Sequence, residues 1–99
     1  MNTVTRQLIT IVAEAVVERR LIDDLKACGA RGYSVGHVSG EGATGRHLLA
    51  LNGPSVRIES VVTDEVAQAI LDRLARDYFE RFAVVAWLST VQVARGDRF

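Results

Sequence analysis

Val56-Arg-Ile-Glu-Ser-Val-Val62, followed at once by Thr63-Asp-Glu65, is where the chain changes its period from that of a strand to that of a helix. The first seven residues are rich in β-branched side chains and read as a strand. Thr63 then offers a side-chain cap, and Asp64 and Glu65 place acid in the first helical turn, where the helix dipole favours it. Val66, Ile70, Leu71, Leu74 and Tyr78 recur at helical spacing, with Asp72, Arg73, Arg76 and Asp77 left for water, so the helix is expected to end near Phe79. Working outward, Phe82-Ala-Val-Val-Ala-Trp-Leu88 is a continuous apolar run suited to a buried strand, and Val91-Gln-Val93 alternates again beyond it. Towards the N-terminus, Arg6-Gln-Leu-Ile-Thr-Ile-Val-Ala-Glu14 is another strand, apolar on both alternating faces. Leu21, Ile22, Leu25 and Cys28 form the stripe of a helix over Glu18–Cys28, stopped by Gly29. Tyr33, Val35 and Val38 then start a second strand.

The resulting order, β-α-β-β-α-β, is the split βαβ pattern of a ferredoxin-like α+β domain: four antiparallel strands with both helices on one face. One domain over residues 1–99 is expected. Ile9, Ile11, Val35, Ile58, Val84 and Ala86 are candidates for one sheet face or the other, and both faces read as apolar although two helices bury only one. A further subunit is expected on the second face, and periodicity does not say how many subunits assemble. Tyr78 and Phe79 read as core at the end of the second helix, and Trp87 as a buried strand residue.

Twelve basic and twelve acidic residues cancel, so there is no overall field to drive non-specific nucleic-acid or membrane binding, and an anion would need a local site. Cys28 is the one cysteine, and no apolar run approaches the roughly 20 residues of a membrane-spanning helix. A polar Met1-Asn2-Thr3 start rather than a charged-then-apolar leader gives the expectation of a soluble, cytoplasmic protein.

Five of the eight glycines fall between Gly36 and Gly53. Within Ser39-Gly-Glu-Gly-Ala-Thr-Gly-Arg46, glycines let main-chain N–H groups converge on an anion, Thr44 donates one more hydrogen bond, and Arg46 can grip two phosphate oxygens. This is neither a Walker A sequence nor the dinucleotide pattern, and on its own it reads equally as a glycine-rich hairpin. Leu48, Leu49 and Leu51 follow inside the same long connection; they suit either a partner surface or an extension of the strand pairing.

Leu8-Ile-Thr-Ile-Val-Ala-Glu14, Gly29-Ala-Arg-Gly-Tyr-Ser-Val35, Gly40-Glu-Gly-Ala-Thr-Gly-Arg46 and Val56-Arg-Ile-Glu59 occur in the order seen in PII-like signalling proteins. The chain resembles most their bicarbonate-related branch, the SbtB-like and carboxysome-associated PII-like proteins, over nearly its whole length. The resemblance implies a homotrimer with nucleotide sites between neighbouring subunits, each closed by the base of a T-loop, here about residues 36–55. By matching position, Gly40, Gly42, Thr44 and Arg46 would line the phosphate, with Glu41 also among the nucleotide-binding residues, while Tyr33, Ser34 and the strand start at Phe82, Ala83 and Val84 would frame the adenine or its neighbourhood. Arg57, Arg95 and Arg98 are further anion candidates, although a strand arginine beside Glu59 is more often a solvated ion pair and tail arginines are often just mobile. Bicarbonate would sit on Arg46 and Thr44, and Leu48, Leu49 and Leu51 would meet a protein target such as a bicarbonate transporter or a carboxysome component. No obligatory cofactor is implied.

Three departures shape the expectation. No tyrosine lies between Gly36 and Ser55, so the uridylylation switch of the nitrogen-sensing relatives is absent. Glu80-Arg81 is too short for their phosphate-gripping loop, which favours AMP, ADP or cyclic AMP over ATP. Gly96-Asp-Arg-Phe99 lacks the cysteines of the redox switch found in many SbtB proteins. The rival readings are a metal-binding trimer using Cys28, His37 and His47, and a weak nucleotide hydrolase using Glu41. Against them, Cys28 belongs to an apolar stripe, and Glu14, Glu41 and Glu59 have no evident nucleophile to activate.

Overall fold

A computed structural model describes residues 2–38 and 54–95. Strand β1 covers Thr3–Glu14 and runs through a single 3₁₀ turn, Ala15–Val17, into helix α1, Glu18–Cys28. Strand β2 is Ser34–Val38, β3 is Ser55–Val62, α2 is Asp64–Asp77 and β4 is Val84–Ala94. The sheet is antiparallel throughout with strand order β2-β3-β1-β4, the ferredoxin-like arrangement expected from the period changes.

Local chemistry accounts for the helix ends. The Thr63 hydroxyl accepts from the Val66 N–H, capping α2. At the end of α1, Gly29 takes the left-handed conformation (φ 111°). There the Gly29 N–H donates to the Lys26 carbonyl and the Ala30 N–H to the Leu25 carbonyl, each at 3.0 Å. This is a Schellman closure, and glycine suits it because a Cβ would be strained and would lie 3.2 Å from Val66 Cγ2.

Two strands differ from the expected bounds. β4 is one strand rather than an apolar run and a separate tail, and β1 starts at Thr3 rather than Arg6. The added residues pair with each other, Thr3 with Ala94 and Thr5 with Gln92. Their side chains join as well: the Gln92 amide donates to the Thr5 hydroxyl (2.8 Å) and the Thr3 hydroxyl donates to Gln92 Oε1 (3.1 Å). On the face of Thr3, Thr5 and Gln92 this ribbon is held by cross-strand polar pairs, so the alternation at Val91 and Val93 reads in sequence as a separate tail rather than as the continuation of one strand.

The register resolves the two faces. Ile9, Ile11, Ala13, Val56, Ile58, Val62 and Val84 form one buried cluster with Leu21, Ile22 and Leu25 of α1 and Ala67, Ile70 and Leu74 of α2. All six sheet candidates therefore lie on the same, helix-covered face, since Val35 pairs with Ile58, Ile11 with Ala86, and Ile9 with Leu88 two residues from it. The other face is built from Leu8, Val12, Val61, Val85, Trp87 and Val91, and neither helix packs on it. Trp87, expected to be buried, is 41% exposed there. Phe79 is likewise not core: Tyr78 turns fully inward, and its neighbour in the same turn points outward with 45% exposure, because adjacent residues of a turn cannot share one face.

Candidate functional site

The turn after α1 brings Gly32, Tyr33 and Ser34 against β3, and an open cleft of about 400 Å³ results, lined by these three with Leu8, Glu59, Ser60 and Val61. Two hydrogen bonds shape it. The Ser60 hydroxyl donates to the Gly32 carbonyl, tying the turn to β3. The Glu59 carboxylate accepts from the Thr10 hydroxyl at 2.8 Å, which orients it across β1. Tyr33 is 42% exposed, and the Lys26 ammonium lies 5.7 Å from its ring centroid. One face of the ring thus carries a cation. The cleft offers apolar walls in Leu8 and Val61, a ring and a carboxylate, a mixture suited to a small planar ligand with donor groups. Beside it, sharing Val61, lies a smaller hollow of about 230 Å³ lined by Gly29, Arg31, Val61, Val62, Thr63 and Val66.

Of the residues named from the sequence, Tyr33 and Ser34 line this cleft, together with Leu8, Gly32, Glu59, Ser60 and Val61. Glu59 was visible as an acid inside an apolar strand; the others gave no signal, because only pairing of β3 with β2 and β1 collects them. Phe82, Ala83 and Val84 lie elsewhere, at the start of the opposite edge strand. Three strand spacings separate β2 from β4, about 14 Å. The Val84 side chain is in the core, and both main-chain groups of Ala83 are engaged by Glu14. Phe82 stacks beneath the Arg20 guanidinium (5.6 Å to the ring centroid) beside Tyr78 (6.0 Å between rings). In one chain these residues do not meet Tyr33, so a site using both sets needs a neighbouring copy.

Arg57 stacks on Trp87 (5.9 Å) on the uncovered face and forms no ion pair with Glu59. Arg95 follows β4 with φ 65°, at the end of the sheet where β1 begins. Gly40, Glu41, Gly42, Thr44, Arg46, His47, Leu48, Leu49, Leu51 and Arg98 lie outside the described residues. Among the described residues no group of three or more His, Cys, Asp and Glu could hold a metal ion; Cys28 packs against the core and His37 is exposed on β2.

Between the helices, Asp24 accepts from the Tyr78 hydroxyl and from Arg73 (2.7 Å), and the Arg20 guanidinium lies 4.8 Å from the Tyr78 ring centroid. Burial pushes the Tyr78 phenol upward, and its hydrogen bond to Asp24 adds to the shift.

The family model for nitrogen regulatory protein P-II matches residues 6–98. The chain belongs to the P-II family. A structure from Thermus thermophilus, described as a PII-like signaling protein, is 40% identical, with a TM-score of 0.86 over 100% of this chain and 99% of that one. CPII from Thiomonas intermedia K12, bound to ADP, AMP and acetate, shares the fold at a TM-score of 0.88 and 22% identity, covering 100% of this chain and 98% of its own. The same protein bound to ADP, AMP and bicarbonate gives 0.80 at 21% identity, covering 99% and 100%. Within a P-II chain of this size, the described helices are not long and apolar enough to cross a membrane.

Proposed function

We propose that the protein is a non-enzymatic, cytoplasmic, trimeric sensor of adenine nucleotides and bicarbonate. AMP, ADP or cyclic AMP occupies clefts between subunits, and the loop at about residues 36–55 relays the bound state to a partner. The observation that carries this reading is the cleft at Tyr33, Ser34 and Glu59, which opens at the border of an apolar sheet face that neither helix covers. Closing that face with a second copy would bring another chain to the cleft. Family membership, and the ADP, AMP and bicarbonate in the CPII structures, support the ligand class.

In this mechanism the adenine lies against Tyr33 and Ser34 of one chain. The phosphate is held by Gly40, Gly42, Thr44 and Arg46, with Arg57, Arg95 and Arg98 as further cations, Glu41 elsewhere on the nucleotide and Phe82–Val84 contributed by the neighbour. Bicarbonate pairs with Arg46 and Thr44 beside the phosphate. Ligand binding orders the loop and presents or withdraws Leu48, Leu49 and Leu51 towards a bicarbonate transporter or a carboxysome component, which places the protein in control of inorganic-carbon uptake or fixation. Calorimetric titration with AMP and ADP, with and without bicarbonate, tests the reading. Coupled sites give a nucleotide affinity that rises when bicarbonate is present; equal affinities in both titrations reject bicarbonate as a co-ligand, and no binding rejects the nucleotide site. Tyr33→Ala weakens nucleotide binding by about five- to tenfold through lost ring contact, without changing the oligomer.

A further inference from the structure

We infer that Lys26 is a positioning residue of the nucleotide cleft: its ammonium occupies one face of the Tyr33 ring and holds the ring for a base to stack on the other. The inference rests on the nucleotide reading above and deepens it by adding a residue that acts through Tyr33.

Lys26 is the one lysine of the chain, and it is exposed in the last turn of α1. A helical side chain meets those three and four positions away, and the one carboxylate at those positions is Asp23. Asp23 lies 3.8 Å from Arg19, and the adjacent Asp24 is taken by Arg73 at 2.7 Å. Among the described residues no carboxylate forms an ion pair with the Lys26 ammonium. The left-handed Gly29 then turns the chain back, and Tyr33 arrives with its ring centroid 5.7 Å from that ammonium.

The main chain of this turn is fixed, and the ring is not. The Ser60 hydroxyl ties the Gly32 carbonyl to β3, whereas the Tyr33 side chain lines the cleft with no second ring and no hydrogen bond on it among the described residues. A ring that must be ordered before a base can stack on it weakens binding by the entropy of that ordering, and a cation seated on one face restrains it in advance. The cation also draws π density to its own side, which favours an electron-rich purine on the free face. A lysine in a last helical turn suits the helix dipole as well, so the test has to separate this role from a purely structural one.

The test is calorimetric titration with AMP of the full chain and its Lys26→Gln variant, each with and without Tyr33→Ala. Lys26→Gln is expected to lower the AMP affinity roughly two- to fivefold where Tyr33 is present. In the Tyr33→Ala background it should change nothing, because the ring through which it acts is gone. Lys26→Arg, whose guanidinium also stacks on a ring, keeps the wild-type affinity, and Lys26→Met serves as the neutral variant if the glutamine one does not fold. Unchanged affinity in Lys26→Gln, an equal fall in the Tyr33→Ala background, or the same fall in Lys26→Arg overturns the inference while leaving the nucleotide site intact. Absence of AMP binding by the wild type overturns both.

Discussion

The two faces of the sheet are made of similar residues and have different fates. On one, Ile9, Ile11, Ile58 and Val84 are sealed beneath two helices. On the other, Val12, Val85 and Trp87 surround a buried Thr10 whose hydroxyl is spent on Glu59, and no element of the described chain lies above them. Apolar content therefore does not by itself say what covers a surface. The first face is completed by local sequence, because each helix is the direct continuation of a strand; the second is covered by no described element of the chain.

The sharpest way to break this comparison is to charge the uncovered face. Trp87→Asp is expected to abolish association, read as a fall to monomer mass in sedimentation, because an interface cannot bury an unpaired carboxylate at that position. If the variant sediments as the wild type does, the uncovered face is not where copies meet. On the covered face, Ile11→Ala removes a fully buried side chain and should cost about 2–5 kcal/mol in chemical denaturation, whatever the state of assembly. A cost that depended on protein concentration would show that the two faces are not energetically separate.

A smaller effect is expected between the helices. Tyr78→Phe deletes the hydroxyl that donates to Asp24, which keeps its bond from Arg73, and a loss of about 1–2 kcal/mol should follow. The phenol is held above its ordinary value of about 10 in the folded chain, so the folded state binds more protons than the unfolded one above that pH. Its contribution is fully present below about pH 10 and is lost as pH rises beyond it. Wild-type stability should therefore fall more steeply than that of Tyr78→Phe in alkaline buffer, and parallel curves would remove Tyr78 from the account.

Much of the fold was legible because its signals are local. Gly29 after the Leu21–Cys28 stripe, and Thr63 before Asp64 and Glu65, announce helix ends through groups a few residues apart. The face assignment was not legible, since β1 reads as apolar on both alternating faces and its alternation does not say which one the helices cover. Ile9 and Leu8 look alike in sequence, yet one is sealed in the core and the other lines the cleft. Of the candidate site, Tyr33 and Ser34 could be anticipated, while Ser60 closing on Gly32 and Glu14 hooking Ala83 could not, because those partners lie 28 and 69 positions apart.

What the amino-acid sequence determined alone is the order and kind of elements and, through the even balance of charge, the need for a local anion site rather than a global field. These follow from propensities, caps and periods that act over one or two turns of chain. Only the tertiary structure decided which side chains share a face, which edge carries the cleft, and where the carboxylates of Glu14 and Glu59 are spent. Strand register fixes all three, and register is set by pairings between distant segments, where a slip of one residue would turn every side chain to the opposite face.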